Sequence, residues 1–168
     1  TGVADSTFGG DGIVNLLSVS GIYPSGHEII LDSFSRIIIA GNNPLGPGYL
    51  FACIDSTGVI DSTFGLNGYS IFPITGYGML ISCALQDDGK IVACGYYDTT
   101  GTSTDYNFVI MRINPDGTAD SSFASNGIFE YSHTNKRDAL TCILIQSDGK
   151  LLAAGGCQDS LLSWDFAL

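Results

Sequence analysis

Catalytic side chains are scarce in this 168-residue chain. Its histidines, His27 (followed by Glu28) and His133, stand far apart, and Asp98, Asp105, Asp159 and Asp165 lie in or beside polar connections. Two such carboxylates at a suitable separation would make a general acid and base. They come without a nucleophile–base spacing, a glycine-rich phosphate loop or a metal-ligand cluster, so an enzyme, as a hydrolase or lyase, is the weaker reading.

Cys53, Cys83, Cys94, Cys142 and Cys157 are scattered, odd in number and free of any Cys-x-x-Cys pair. Most fall in apolar runs, where thiols act as small hydrophobes, and no disulfide, metal or cofactor is expected. Asn114–Asp120 has some acidity of a calcium loop. Ala119 stands where the sharp-turn glycine belongs and Ser125 where a bidentate glutamate belongs, which discounts it.

Aromatic residues offer the chemistry of recognition. Tyr23, Tyr77, Tyr96, Tyr97, Tyr106 and Trp164 occupy or flank connections whose sequences change freely along the chain. Such rings give large contact area at small entropic cost, and they stack on sugars or anchor a partner protein. The alternative is that several of them only cover the ends of sheets, as ordinary packing material.

The net charge is −11 with six Lys and Arg, and Arg36, Lys90 and Lys150 fall in one repeated turn. No basic stripe is left to neutralise phosphates, so nucleic acid is not an expected partner. An anionic membrane surface would repel the chain, and no apolar run approaches the ~20 residues of a membrane helix, so no membrane insertion is expected. Apolar residues make up 45%, ample for a core, whereas 14% charged residues leave the surface to Ser, Thr, Asn, Gly and Tyr. That surface leans toward an extracellular or cell-surface setting, and five cysteines lean the other way.

What must position these residues is a repeat. Asp5-Ser6-Thr7-Phe8 returns as Asp61-Ser62-Thr63-Phe64 and Asp120-Ser121-Ser122-Phe123, 56 and 59 residues apart, with Gly12, Gly68 and Gly127 four residues after each Phe. Gln86-Asp87-Asp88-Gly89-Lys90 keeps step with Gln146-Ser147-Asp148-Gly149-Lys150, and Leu31–Arg36 is a worn first copy. A fixed period of this size signals units that bury their apolar faces only by stacking. The units run approximately over 1–54, 55–113 and 114–168.

Each unit holds four short apolar segments separated by turn residues: Ile13–Val19, Glu28–Asp32, Arg36–Gly41 and Tyr49–Asp55; Tyr69–Ile74, Leu80–Gln86, Lys90–Gly95 and Asn107–Asn114; Ile128–Ser132, Leu140–Gln146, Lys150–Gly155 and Asp165–Leu168. Branched and aromatic residues between Asp-Gly and Asn-Pro turns predict antiparallel strands. Ile37–Ala40 and Ile91–Cys94 are apolar on successive residues, so both sheet faces must be buried. With no helical period to cover them, sheet must pack on sheet. The expected fold is all-β: a β-propeller of repeated four-stranded antiparallel blades, with three circularly permuted units here. The repeated Asp is expected to form an Asx turn, the Phe to plug the gap between blades, and the Gly to hold positive φ.

These elements resemble the delta-60 repeat family, whose units carry Asp-x-Ser/Thr-Phe-Gly-x-x-Gly and Gln-x-Asp-Gly-Lys. Thr57–Gly68 and Gln86–Gly95 fit best, and Phe108–Gly117 is similar to that family's Phe-Ala-x-x-Arg-x-x-x-Asp-Gly strand and turn. Departures are Ser33–Arg36 in place of Asp-Gly-Lys, Cys53 in place of the Arg seen at Arg112, and Ala124 in place of the glycine after Phe123. The resemblance implies β-propellers of large, often exported bacterial proteins without an assigned enzymatic role.

Phe166-Ala167-Leu168 aligns with Phe108-Val109-Ile110, and Thr1–Asp5 with Thr57–Asp61. Propellers have roughly four to eight blades, so the expectation is either more blades in a longer chain or self-association, most simply two copies giving six. In a meander, alternate connections share an end. One end should carry the uniform hairpins and Asp-Ser-Thr-Phe turns, and the other the variable connections, where a rigid scaffold usually binds. The function expected is a binding or scaffold module for protein or glycan, with a structural spacer of a cell-surface protein as the alternative.

Overall fold

Runs rich in Ile, Val, Leu, Phe and Tyr, cut by Asp-Gly and Asn-Pro turns, fold as antiparallel strands because branched and aromatic side chains pack well on a pleated surface. The computed structural model describes residues 2–16, 24–43, 46, 48–98, 100, 104–133, 136–158 and 164–167. Strands β1 (Ser25–Leu31), β2 (Ile37–Asn42), β3 (Gly48–Ile54) and β4 (Tyr69–Pro73) form a first sheet. Strands β5 (Tyr77–Leu85), β6 (Ile91–Asp98), β7 (Asn107–Ile113) and β8 (Ile128–Tyr131) form a second. Strands β9 (Asp138–Ile145), β10 (Leu151–Gln158) and β11 (Trp164–Ala167) form a third. Within each sheet every strand pairs antiparallel with its neighbour in sequence. Among the described residues no helix is long and apolar enough to cross a membrane.

The expected segments reappear as these strands with shifted ends, apart from Ile13–Val19: residues 13–16 form no strand, and 17–19 lie outside the described residues. The first and second sheets each draw on two repeat units, since β4 follows the Asp61 turn and β8 the Asp120 turn. The first strand of each sheet carries a bulge, between Gly26 and Glu28, between Leu80 and Ser82 and, opposite Ala154 and Gly155, between Leu140 and Cys142. A glycine lies at each bulge. A Cβ on Gly41, Gly95 or Gly155 would overlap the carbonyl oxygen of Ser25, Met79 or Ala139, so only glycine lets the two backbones approach there.

The core lies between sheets. Ile38, Ala40, Tyr49, Phe51 and Cys53 of the first sheet meet Leu80, Cys83, Ile91, Ala93, Val109 and Met111 of the second. The opposite face of the second sheet, through Val92, Cys94 and Phe108, meets Leu140, Ile143 and Cys157 of the third. Ile91–Cys94 therefore alternates between two buried interfaces, the arrangement its unbroken apolar run demands. Tyr49, Phe51 and Phe64 are fully buried, and each contributes about 2–3 kcal/mol by removal from water. The far side of the first sheet buries Leu50, Ala52 and Tyr69 beneath Leu16, Ile39 and Ile60. Strand β5 lies beside both β1 and β9, so the first strands converge while the fourth strands splay outward.

Candidate functional site

At the uniform end, the repeated Asp builds the expected turn. Asp61 Oδ1 accepts from Thr63 N at 3.0 Å and Thr63 Oγ1 at 2.6 Å, and Asp5 with Thr7 and Asp120 with Ser122 repeat this geometry. In Asp61 and Asp120 the second oxygen takes a base from the hairpin of the same sheet. Arg36 Nη1 reaches Asp61 Oδ2 at 2.8 Å, and Lys90 Nζ lies 3.3 Å from Asp120 Oδ2, which Arg112 Nε also contacts at 2.7 Å. Hydrogen bonds from Thr63 and then Arg36 lower Asp61 to about 2. Ser122 foremost, then Arg112 and Lys90, hold Asp120 well below the usual carboxylate range. Asp61 and Asp120 are committed to protein donors as clamps that tie hairpin to turn.

At the opposite end the variable connections bring aromatic rings together. Tyr96, near the end of β6, stacks on Tyr106 with centroids 4.6 Å apart, and Tyr77 at the start of β5 tilts against Tyr96 at 6.2 Å. The Arg137 guanidinium lies 5.6 Å over the Tyr106 ring, an attraction of cation for ring face. Backbone bonds fix this corner: Tyr106 N donates to Lys136 O and Asp138 N to Tyr106 O, both at 2.8 Å. All three tyrosines are half-buried. Burial first, then the neighbouring Tyr77, pushes the Tyr96 phenol well above its ordinary value, so it stays protonated.

Tyr97 parts from this group. Successive side chains on a strand point to opposite faces, so Tyr97 turns toward the first sheet, packs on that interface and donates to Thr75 O at 2.8 Å. Trp164 opens β11 opposite Gln158, and Tyr23 lies outside the described residues.

Of the candidate acid–base residues, Asp98 ends β6 and Asp105 immediately precedes Tyr106. Asp98 is fully buried, and its Oδ1 accepts from Thr100 N at 2.8 Å and Thr100 Oγ1 at 2.7 Å. Asp105 Oδ1 is buried without a hydrogen-bond partner among the described residues. Asp165 sits in β11 opposite Cys157, and Asp159 is outside the described residues. His27 Nε2 lies 3.0 Å from Asn42 Oδ1 in the first sheet, whereas His133, between β8 and β9, donates its backbone N–H to Asp138 Oδ2 at 2.6 Å. Among the described residues none of the five cysteines forms a disulfide; Cys142 is exposed and the other four are buried. Burial pushes Cys53 up to about 11 and Cys83 and Cys94 up to about 12, which keeps these thiols protonated and unreactive.

Two features escape a reading of the sequence by motif. Arg137 is one of only six Lys and Arg, in a variable connection, and its charge in so acidic a chain was the available signal. The clamp was signalled by basic residues and aspartates recurring at one period, but their contact spans 25 residues for Arg36–Asp61.

Three antiparallel sheets packed face to face about converging first strands are blades, and the chain is an all-β protein of the β-propeller class. Residues 86–123 match the family described as a domain of unknown function (DUF5122) beta-propeller. That stretch runs from the Gln86 hairpin to Phe123 of the third turn, and the match supports kinship with a β-propeller repeat family. A comparison with curated proteins finds no match.

Proposed function

We propose that this chain is a non-enzymatic binding or scaffold module that takes protein or glycan at its variable end, within a ring completed by further blades. We read its repeats as those of the delta-60 kind and its setting as the surface of, or the space outside, a bacterial cell. The observation that carries the reading is the Tyr77–Tyr96–Tyr106 cluster, flanked by Arg137, at the end where connections differ between units. Stacked phenol rings beside a guanidinium suit the faces of sugar rings or an acidic, aromatic peptide. The opposite end has its aspartates committed to clamps, which favours structure there.

A glycan array probed with the purified chain, then with Tyr77→Ala and Tyr106→Ala, tests this. Retention of a glycan that falls at least tenfold in both variants, with unchanged circular dichroism, supports the reading. Equal retention by the variants contradicts the placement of the site, and turnover of an arrayed glycan contradicts the non-enzymatic assignment.

A further inference from the structure

We propose that Asn67 and Asn126 are modification sites, at which deamidation to isoaspartate releases the fourth strand of a blade. The reading is independent of what the variable end binds. These residues form the two Asn-Gly steps of the sequence, and each lies in the turn that leads from an Asp-Ser-Thr/Ser-Phe segment into β4 or β8. The other asparagines precede Leu, Asn, Phe or Lys, whose side chains crowd the attacking nitrogen, or Pro, which has no N–H.

The fold requires both residue types at these steps. Asn67 and Gly68 hold φ 55° and 91°, and Asn126 and Gly127 hold 54° and 93°, the two left-handed positions of a type I′ turn. Leu66 and Tyr69 close the first turn by exchanging backbone bonds at 2.7 and 3.2 Å, and Ser125 and Ile128 close the second at 3.1 and 3.3 Å. Asparagine and aspartate are the side chains that tolerate this region. A Cβ on Gly68 would overlap Ile60 Cγ2, and one on Gly127 would come within 3.0 Å of the Arg112 carbonyl oxygen. The missing Cβ that lets the backbone pass also leaves the glycine nitrogen open to the asparagine side chain.

The reaction needs only water. The glycine nitrogen gives up its proton and attacks the asparagine Cγ. The N–Cγ bond forms, the Cγ–Nδ2 bond breaks, and ammonia leaves with that proton. Water then adds to either carbonyl of the cyclic imide and cleaves its bond to nitrogen. Opening at the side-chain carbonyl gives aspartate with the backbone unchanged. Opening at the main-chain carbonyl routes the backbone through Cβ and gives isoaspartate, with an additional backbone carbon.

The native turn withholds the first step. Asn67 and Asn126 are exposed to water, whereas Gly68 and Gly127 are buried. Gly68 N donates to Phe64 O at 2.9 Å and Gly127 N to Phe123 O at 2.8 Å, so each attacking nitrogen is held in place. Gly68 O accepts from Cys53 N at 3.0 Å and Gly127 O from Arg112 N at 2.8 Å, which ties each turn to the third strand of its sheet. Cyclisation therefore waits until the turn and the head of an edge strand open together, a local event of low cost. Ala124 favours that opening in the second turn, because it holds φ 43° at the position of Gly65 and is strained there.

The two products then part. Aspartate keeps the backbone length and tolerates the left-handed region, so the turn recloses. Isoaspartate lengthens a two-residue connection whose closing bonds fix the register of the next strand. The ladder Leu50↔Ile71 and Phe51↔Ser70, or Ile110↔Phe129 in the second sheet, is then not re-formed. The modification acts as a one-way catch on β4 and β8.

The test holds the full chain in mildly alkaline buffer, folded and in urea, and maps its peptides by mass spectrometry with an isoaspartate-selective methyltransferase label. In urea both asparagines are expected to convert at similar rates, and in the folded chain both slow about tenfold or more. Ala124→Gly slows Asn126 in the folded chain by about twofold or more and leaves Asn67 unchanged. Amide hydrogen exchange on the aged chain shows β4 unprotected in molecules with isoaspartate at position 67, whereas Asn67→Asp keeps β4 protected. Conversion as fast in the folded chain as in urea, or an Asn126 rate indifferent to Ala124→Gly, overturns the gating by the turn. Equal protection of β4 with and without isoaspartate overturns the release.

Discussion

Asp61 joins two local devices, its own turn and a base from the hairpin across the sheet. Because its folded pKa is depressed, from 3.8 to about 2, the stabilisation is complete above the unfolded value and is lost as pH falls through the folded one. Asp120 shifts in the same direction. Thermal midpoints should therefore stay level down to about pH 4.5 and fall between about pH 4 and 2, with Asp61→Asn flattening that descent. A midpoint that drops mainly above pH 5 contradicts the clamp. A second residue-scale test lies where the repeat departs from itself. Ala124 holds φ 43° where Gly9 and Gly65 stand in sister turns, and Ser35 holds φ 60° where Gly89 and Gly149 stand. A Cβ in that region is strained, so Ala124→Gly and Ser35→Gly should each raise stability by about 0.5–1 kcal/mol in urea unfolding. Lower midpoints would show that those side chains contribute contacts outweighing the strain.

Among the elements, the Asp-Ser-Thr-Phe turn matters by what lies over it. Phe64 is fully buried beside the Asn114–Gly117 turn of the next blade, and a Cβ on Gly117 would come within 3.0 Å of its ring. Phe123, in the same sequence context, is half-buried with Arg112 4.6 Å over its ring. Phe64→Ala should cost about 3–5 kcal/mol and Phe123→Ala about 1 kcal/mol, measured by the same unfolding; equal costs would contradict the interblade wedge. Strands and turns were legible because their signals are local, a few branched residues closed by Asp-Gly or Asn-Pro. The phase of the sheets was not, since whether Tyr69–Pro73 joins the sheet before or after it depends on how the Asp61–Gly68 turn closes. Of the candidate site, Tyr77, Tyr96 and Tyr106 were legible as tyrosines on variable connections, and their contact with one another was not. The parting of Tyr97 from Tyr96 was hidden, because β6 is buried on both faces and alternation alone does not say which ring meets which interface.

At the scale of the whole molecule, the claim beneath all others is that the second sheet is sandwiched between copies of itself. Its strand β6 contributes Ile91 and Ala93 to one interface and Val92 and Cys94 to the other, whereas β10 keeps one face open at Leu152. Stability is distributed in the same pattern, because opening a strand locally costs more where both faces are covered. The most direct measurement is native-state amide hydrogen exchange on the dilute chain, read strand by strand. The slowest exchange is expected in β6 and β7, with clearly faster exchange in β9 and β10. Protection that is uniform across the three sheets, or greatest in β10, would contradict it.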